Sequence, residues 1–227
     1  MAEAKGVEAV DRALQILECF TRDTPELALA EIAKATGFYK STILRMAVSL
    51  EKFGYLVRGD SGRFRLGPAA WRLGSAYRQS FDLSEILRPE LKLLSDATGE
   101  TASYYVREGE ARVCLYRSEP VRAIRHSITE GASMPLELGA SGKVLRAFSG
   151  RAEEADAQIQ AEGYAVSRGE RDPEVAAVSV PVMTAQGRLL GALAVSGLIT
   201  RFGDDRLPAL AGALKDSQHR LAGKIGS

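Results

Sequence analysis

The side chains best suited to chemistry are basic and hydroxyl groups concentrated between residues 38 and 65. This stretch holds six Lys and Arg residues against two acidic residues, a net charge of +4, whereas residues 1–37 carry a net charge of −3. Duplex DNA attracts such a cluster, because each phosphate that a cation neutralises releases condensed counterions. The pattern indicates a nucleic-acid-binding surface; a basic face that is merely solvated is the alternative.

The candidate contacts of this surface come from a predicted helix and a predicted hairpin. They are Lys40, Ser41, Thr42, Arg45 and Ser49 on the helix, and Arg58, Arg63 and Arg65 on the hairpin. A helix from Lys40 to Phe53 is about 21 Å long. It fits the major groove of DNA with its N-terminal residues at the base edges. We therefore predict direct contact with a double-stranded DNA operator.

A second possible site lies at Ala140-Ser141-Gly142, where another predicted helix begins. Its free backbone N–H groups and the positive end of its dipole could hold a carboxylate, and the Ser141 hydroxyl adds one donor. An ordinary capped helix start is the alternative. Two further polar residues are candidates for ligand contact: His126 on a predicted strand, and Ser196 at the end of the last predicted strand. A purely structural role is the alternative for each.

Motifs of catalytic and metal sites are absent from the sequence. A G-x-S-x-G motif beginning at Gly139 needs its last Gly where Lys143 stands, and a phosphate loop ending in Gly142-Lys143 needs its first Gly where Glu137 stands. The two His and two Cys residues show no metal-ligand spacing. We predict no catalytic residue, no metal and no cofactor.

The elements that position the first site are predicted to form a winged helix-turn-helix. Helical spacing of apolar residues predicts three helices, over 7–20, 29–36 and 40–53. Gly37 is the expected left-handed end of the second helix. Tyr55 and Val57, then Phe64 and Leu66, alternate around the turn at 59–62, which predicts a hairpin. Two helices joined by a Gly-containing turn are typical of a helix-turn-helix, and the hairpin is the wing.

The residues beyond Gly67 predict an α+β domain. Pro68 opens a linker helix over 68–80, and Asp82 caps a longer helix that ends before Gly99. Strands are predicted over 101–107, 111–118, 121–129, 175–183 and 189–195, and helices over 142–148, 153–160 and 204–224. The predicted domain boundaries are 7–67, 68–80 and 81–227.

The sequence resembles the IclR transcriptional regulators in several stretches that are specific in their order and spacing. These are VDRALQIL at 10–17, LAEIAKATG at 29–37, Lys40-Ser41-Thr42 with Arg45, FRLG at 64–67, MPLELGASGK at 134–143, and the run from Gly163 to Arg201. The resemblance covers nearly the whole chain. It implies an N-terminal winged helix-turn-helix, a linker helix and a C-terminal effector-binding domain of GAF/PAS-like architecture with an antiparallel sheet.

The resemblance also implies a function and the positions of a ligand pocket. Such proteins bind palindromic operators as homodimers or dimers of dimers, respond to small organic or aromatic acids, and repress or activate metabolic genes. Carried over to this sequence, the pocket positions are Ala123, His126, Met134, Ala140, Ser141, Ser167, Val175, Ala177, Ala194 and Ser196. Most are small or apolar, so they define a cavity more than a chemistry.

Two other functions stay open at this point. One is a small-molecule enzyme with an accessory winged helix used for dimerisation, and the other is a winged helix that binds only proteins, which fits poorly with the +4 stretch. A salt-dependent affinity for DNA would separate them from a regulator. The composition, 45% hydrophobic and 26% charged with a net charge of +1, is that of a globular protein. With no apolar segment long enough to span a bilayer, we expect a cytoplasmic protein without a membrane partner.

Overall fold

The structure, a computed structural model, describes residues 6–21, 23–79, 83–122, 128–150, 152, 154–184 and 186–225. It divides into two compact units, residues 1–81 and 82–227. Each unit has its own core, so each is described by itself.

The first unit consists of three helices, a small sheet and a final helix. In chain order they are α1 (Glu8–Glu18), β1 (Glu26–Leu27), α2 (Leu29–Thr36), α3 (Lys40–Lys52), β2 (Leu56–Arg58), β3 (Phe64–Leu66) and α4 (Pro68–Gln79). Ile16, Ile32 and Ile43, one from each of the first three helices, are buried together with Leu56 and Phe64. The predicted order of helix, helix-turn-helix, hairpin and linker helix is confirmed.

The turn between α2 and α3 depends on Gly37. Its φ of 72° is left-handed, a conformation that costs glycine least because it has no Cβ. The Gly37 N–H donates to the Ala33 carbonyl at 2.9 Å and closes α2. The chain is then free to start α3 at Lys40, which sets the two helices of the motif next to each other.

The wing differs from its prediction in two details. β1 pairs with β3, so the antiparallel sheet has the order β1-β3-β2, whereas the sequence indicated only a helix break at this point. A two-residue strand is too short to show alternation. In β2 the buried residue is Leu56, with Val57 only partly buried, so the alternation inferred from Tyr55 and Val57 is out of phase by one residue.

The second unit is a six-stranded antiparallel sheet with helices packed on it. Its helices are α5 (Ser84–Thr98), α6 (Ala140–Ala147), α7 (Ala157–Glu162) and α8 (Leu207–Ile225), with 3-10 turns at Glu154–Asp156 and Ile199–Arg201. Its strands are β4 (Thr101–Glu108), β5 (Ala111–Ser118), β6 (Ser133–Pro135), β7 (Ala165–Arg168), β8 (Val175–Met183) and β9 (Leu189–Leu198). The strand order is β6-β5-β4-β9-β8-β7.

The core beside α6 fixes where that helix begins. Val144 and Leu145 of α6 pack with Tyr105, Ala192 and Ala194 of the central strands. The small side chains of β9 allow the helix to approach the sheet closely. The first turn of α6 is thereby held near the ends of β7, β8 and β9.

The described residues of the second unit differ from the prediction in three places. No strand covers the described part of 121–129, and residues 123–127 lie outside the described residues. A reverse turn follows at residues 129–132, closed by the Ala132 N–H donating to the Thr129 carbonyl at 3.0 Å. Gly131 in this turn has a φ of 87° and donates its N–H to the Cys114 carbonyl of β5 at 2.7 Å. The edge strands β6 and β7 were not predicted, because three or four residues give no clear period. The helix predicted over 153–160 is a 3-10 turn followed by α7.

None of the described helices is long and apolar enough to cross a membrane.

Candidate functional sites

One face of α3 is buried and the opposite face meets solvent. Ile43, Ala47 and Leu50 anchor the helix in the core of the first unit. Of the five helix residues predicted to contact DNA, Lys40, Ser41, Arg45 and Ser49 are exposed and Thr42 is partly buried. The exposed face therefore presents two cations and two hydroxyls in little more than two turns, a surface suited to hydrogen bonds with base edges and phosphates.

The three arginines of the wing have different surroundings. Arg58 and Arg65 are exposed, and the Arg58 guanidinium lies 5.3 Å from the centroid of the Phe64 ring. Arg63 instead donates to the Glu31 carboxylate at 2.7 Å and to the Glu26 carbonyl at 3.0 Å. Glu31 also accepts the Ala28 N–H at 2.6 Å at the start of α2. Arg63 thus joins the wing to α2, and its charge is partly compensated within the chain.

The second unit contains a concave cavity that opens to solvent; the space within it and at its mouth amounts to about 440 Å³, part of which is open solvent. Seven of the ten predicted pocket residues line it: Ala140, Ser141, Ser167, Val175, Ala177, Ala194 and Ser196. Strand register explains part of this set, because Ser167 pairs with Ala177 and Ala177 pairs with Ser196 across β7, β8 and β9. The first turn of α6 supplies Ala140 and Ser141. A row of small side chains with three hydroxyls thus forms one wall.

Of the other three predicted pocket residues, only Met134 belongs to the described part of the chain. Met134 is buried in the core beside α6, with Cys114 and Leu136, and is not among the lining residues. Its side chain fills space between β5 and α6, which explains why an apolar residue stands there. Ala123 and His126 lie outside the described residues.

Four charged residues that the sequence analysis did not predict also line the cavity. Arg112, Glu170, Arg171 and Asp172 contribute to its wall, together with Tyr105, Ile128 and Gly139. Arg112 could have been found from the sequence, because it stands on the core-facing side of β5 among apolar residues. A buried Arg is rare unless it has partners, so such a position indicates a polar site. The loop 169–174 carries no periodic pattern, so its charges could not be placed from the sequence.

Arg112 is a buried cation under the first turn of α6. It is 3% exposed, and its Nη1 donates to the carbonyl oxygens of Pro135 and Leu138. Its Nε has no hydrogen-bond partner among the described residues. Burial lowers the pKa of Arg112 and nearby Arg171 lowers it further, but an arginine stays charged at neutral pH. The buried guanidinium of Arg112 therefore places a positive charge in the cavity wall, beside the first turn of α6.

The predicted anion-binding corner at the start of α6 is occupied by the protein's own carboxylate. Gly139, at a φ of 83°, is the N-cap, and its N–H donates to Glu170 Oε2 at 3.0 Å. Lys143 Nζ donates to Glu170 Oε1 and to the Val166 carbonyl, the latter at 3.1 Å. The positive end of the helix attracts an anion, as expected, but here the anion is Glu170.

The other reactive groups have no partners for catalysis among the described residues. Burial raises the pKa of the Cys114 thiol to about 12 and also raises that of Cys19, so neither forms a thiolate readily. His219 is on α8, and its Nδ1 lies 2.7 Å from the Lys215 carbonyl. No group of three or more His, Cys, Asp or Glu residues in the described ranges is arranged to hold a metal ion.

Comparison with known proteins assigns both units. The family model described as the IclR helix-turn-helix domain matches residues 9–60. The model described as the bacterial transcriptional regulator IclR C-terminal domain matches residues 75–158 and 153–222. The chain belongs to the IclR family of transcriptional regulators. The family match confirms the α+β fold with an N-terminal helix-turn-helix, and it identifies the protein as a DNA-binding regulator.

Individual members of the IclR family match along almost all of the chain. The HTH-type transcriptional regulator BhcR of Paracoccus denitrificans (strain Pd 1222) is 30% identical over 97% of this chain and 88% of its own length. XynR of Escherichia coli (strain K12) is 29% identical over 97% of this chain and 98% of its own. Among solved structures, an IclR homolog from Microbacterium hydrocarbonoxydans complexed with 4-hydroxybenzoate has a TM-score of 0.77 at 18% identity, covering 96% of this chain and 99% of that one.

Proposed function

We propose that this regulator reads its operator with α3 and the wing, and that a small organic or aromatic acid bound in the cavity of the second unit changes that binding. In this proposal residues 7–67 are the DNA-binding domain, 68–80 the linker helix and 81–227 the effector domain. The observation that carries it is the cavity itself, where three serine hydroxyls and two arginines line one concave site.

The proposed DNA contacts follow from exposure and charge. Lys40, Ser41, Thr42 and Arg45 lie at the N-terminal half of α3, the half that reaches base edges in helix-turn-helix proteins. Ser49, Arg58 and Arg65 are placed for phosphates, which fix the position of the protein on the duplex without reading sequence. Arg63 takes a smaller part, because Glu31 already accepts its hydrogen bond.

The proposed effector is an acid because of what the cavity offers. Ser141, Ser167 and Ser196 supply hydroxyl donors, and Arg171 on the loop before β8 supplies a cation. Tyr105 and Ile128 supply apolar surface on which a ring or an alkyl chain can pack. The bound 4-hydroxybenzoate of the Microbacterium homolog is a compound of this class. Ala123, His126 and Met134 stay candidate residues of the pocket from the family resemblance alone.

Regulation requires that the effector prefer one arrangement of the protein. A ligand that binds two states equally shifts neither. We propose a homodimer, or a dimer of dimers, in which effector binding changes how two α3 helices are presented to a palindromic site. No catalytic step is proposed, because the sequence carries no motif of a catalytic site and the named relatives are transcriptional regulators.

The experiment is a fluorescence anisotropy titration of the protein against the DNA upstream of its own gene, with a scrambled duplex as control. A panel of aromatic and aliphatic acids, beginning with 4-hydroxybenzoate, is added to each. We expect preference for the upstream duplex and a change in affinity with at least one acid. Equal affinity for both duplexes at every salt concentration, with and without acids, would refute operator reading at that site.

The cavity is tested with Ser141→Leu, which places a larger apolar side chain at the first turn of α6. We expect binding to the operator in the absence of acid to stay at the wild-type level while the response to the acid is lost. Leu93→Ala, at an exposed position of α5 away from the lining residues, is the matched control and should respond like the wild type. A normal response of Ser141→Leu would place the effector elsewhere.

A further inference from the structure

Two aliphatic side chains interrupt the basic outward face of α3. Val48 is 66% exposed and Leu44 is 38% exposed. Val48 lies seven residues after Ser41 and three after Arg45, so these three residues share one stripe of the helix, and Leu44 flanks it one turn before Val48. The stripe lies opposite the buried Ile43, Ala47 and Leu50. Packing within the first unit therefore does not account for Leu44 and Val48.

The positive charge around the exposed face of α3 favours DNA over a protein as the partner of Leu44 and Val48. The stretch 38–65 carries a net charge of +4, and the exposed Lys40 and Arg45 lie on the same helix as the two aliphatic residues. A protein partner with an apolar surface would leave these cations without counter-charges, whereas the major groove of duplex DNA provides phosphates on both sides. The occupant that fits both the charge and the width of a helix is the DNA major groove.

Within the major groove, one base carries an apolar group. Thymine displays its C5-methyl there, and aliphatic side chains recognise it by contact. We propose that Leu44 and Val48 contact the C5-methyl groups of thymines in the operator and thereby select A·T pairs at those positions. The inference rests on the operator-binding function proposed above and adds to it the base feature that is read.

The spacing of the two residues gives the proposal a geometric consequence. Four residues of helix rise about 6 Å, which is close to two steps of duplex DNA at about 3.4 Å each. The two thymines contacted are therefore expected within about two base pairs of each other in each half-site. Arg45, which lies between Leu44 and Val48 in sequence, is placed to bind a guanine in the same half-site.

The test begins with a duplex that the protein selects from a library of random sequences. Each thymine of the selected half-site is then replaced singly by uracil, which removes the methyl group and leaves base pairing intact. We expect uracil at one or two neighbouring positions to weaken binding by the wild-type protein about fourfold, the equivalent of about 0.8 kcal/mol for one methyl group. Uracil at the other positions should leave the affinity unchanged.

Variants then assign the methyl contact to a side chain. For Val48→Ala we expect the thymine and uracil duplexes at one sensitive position to bind equally, and for Leu44→Ala the same at the other. Because both residues are exposed and alanine has the highest helix propensity, the variants keep the fold. The control is Arg45→Ala, which should weaken binding to both duplexes while keeping the fourfold ratio between them, about 0.8 kcal/mol.

The outcomes separate this inference from the function on which it rests. Failure to enrich any duplex would overturn sequence-specific operator reading and the inference with it. Enrichment of a duplex whose affinity does not change with any uracil substitution would overturn the methyl contact alone. Methyl sensitivity that persists in both Val48→Ala and Leu44→Ala would also overturn it, because another residue would then read the methyl group.

Discussion

Single side chains in both sites divide into those that hold the fold and those left for ligands. Arg63 and Arg112 are hydrogen-bonded to carbonyl or carboxylate oxygens of their own unit. Arg45, by contrast, has no ion-pair partner among the described residues and lies on the exposed face of α3. The same residue type thus serves packing in one place and recognition in another, and the contacts around each guanidinium decide which.

Arg45→Ala tests recognition at this scale. If the Arg45 guanidinium donates to a guanine edge, the variant should lose about 1–3 kcal/mol of operator affinity and relax the preference for that base pair. Anisotropy titrations against the operator and against a duplex changed at that pair measure both effects. Lys92→Ala, on α5 of the second unit, is the matched loss of one exposed charge and should bind like the wild type. Wild-type affinity and preference in Arg45→Ala would contradict the assignment.

Glu170→Gln tests the start of α6, where the Glu170 carboxylate occupies the predicted anion-binding corner of the cavity. The Glu170 carboxylate accepts the Gly139 N–H and is paired with Lys143, so it repels an acid that enters the same cavity. Glutamine keeps an acceptor oxygen but removes the charge and leaves Lys143 available to the ligand. We expect the acid identified in the panel to bind about fivefold more tightly, which corresponds to about 1 kcal/mol for one removed like charge.

The affinity of Glu170→Gln for the acid is measured by isothermal titration calorimetry beside the wild type. Glu110→Gln is the matched control, because Glu110 pairs with Arg107 at an exposed site and is not a lining residue. Unchanged or weaker binding of the acid by Glu170→Gln would show that the ligand carboxylate does not approach this corner.

Elements with a clear period were predictable, and so was the wing hairpin, because its two three-residue strands flank a recognisable turn; the other short strands were not predictable. The first helix, α2, α3, β4, β5 and β8 follow apolar spacing closely, and α2, β5 and β8 have the predicted bounds. The strands β1, β6 and β7 are two to four residues long and were missed, because their pairing is set by neighbouring strands rather than by their own pattern. The predicted pocket shows the same limit. Its small residues on β7, β8 and β9 were placed through the resemblance, whereas the charges of loop 169–174 were not.

The start of α6 is the element on which the effector cavity depends. A Cβ at Gly142 would lie 2.1 Å from the Leu136 carbonyl oxygen and 2.8 Å from Arg112 Nη1. Gly142→Ala must therefore push α6 away from the strand that precedes it or displace the buried guanidinium. We expect a loss of about 2–3 kcal/mol in the free energy of unfolding, measured by urea denaturation of the full chain.

Gly212→Ala is the control for that prediction. Gly212 is also helical, lies in the same unit on α8, and has no atom within 4 Å of an added Cβ. Alanine at this position should leave stability unchanged or raise it by about 0.5–1 kcal/mol. Equal stability of Gly142→Ala and the wild type would show that the contact between α6 and residue 136 is not a tight one.

At the scale of the whole molecule, the proposed homodimer brings two copies of the first unit to one operator. Exposed apolar residues outside α3 are consistent with further association, since Val10 and Leu14 of α1 and Trp71 and Leu73 of α4 are all more than half exposed. A homodimer doubles every contact with DNA. Any single substitution in a DNA-contacting residue then removes two contacts per bound complex, and this doubling can be measured.

The number of protein copies bound to one operator can be measured with Arg65→Ala, through the salt dependence of binding. Each phosphate contact contributes about 0.9 to the slope of log affinity against log salt concentration. If Arg65 contacts a phosphate and the protein binds as a dimer, the slope should fall by about 1.8; a monomer would lose about 0.9, and a dimer of dimers with all four wings on DNA about 3.6. Lys92→Ala should keep the wild-type slope. An unchanged slope in Arg65→Ala would remove the wing from the phosphate contacts, whatever the number of copies bound.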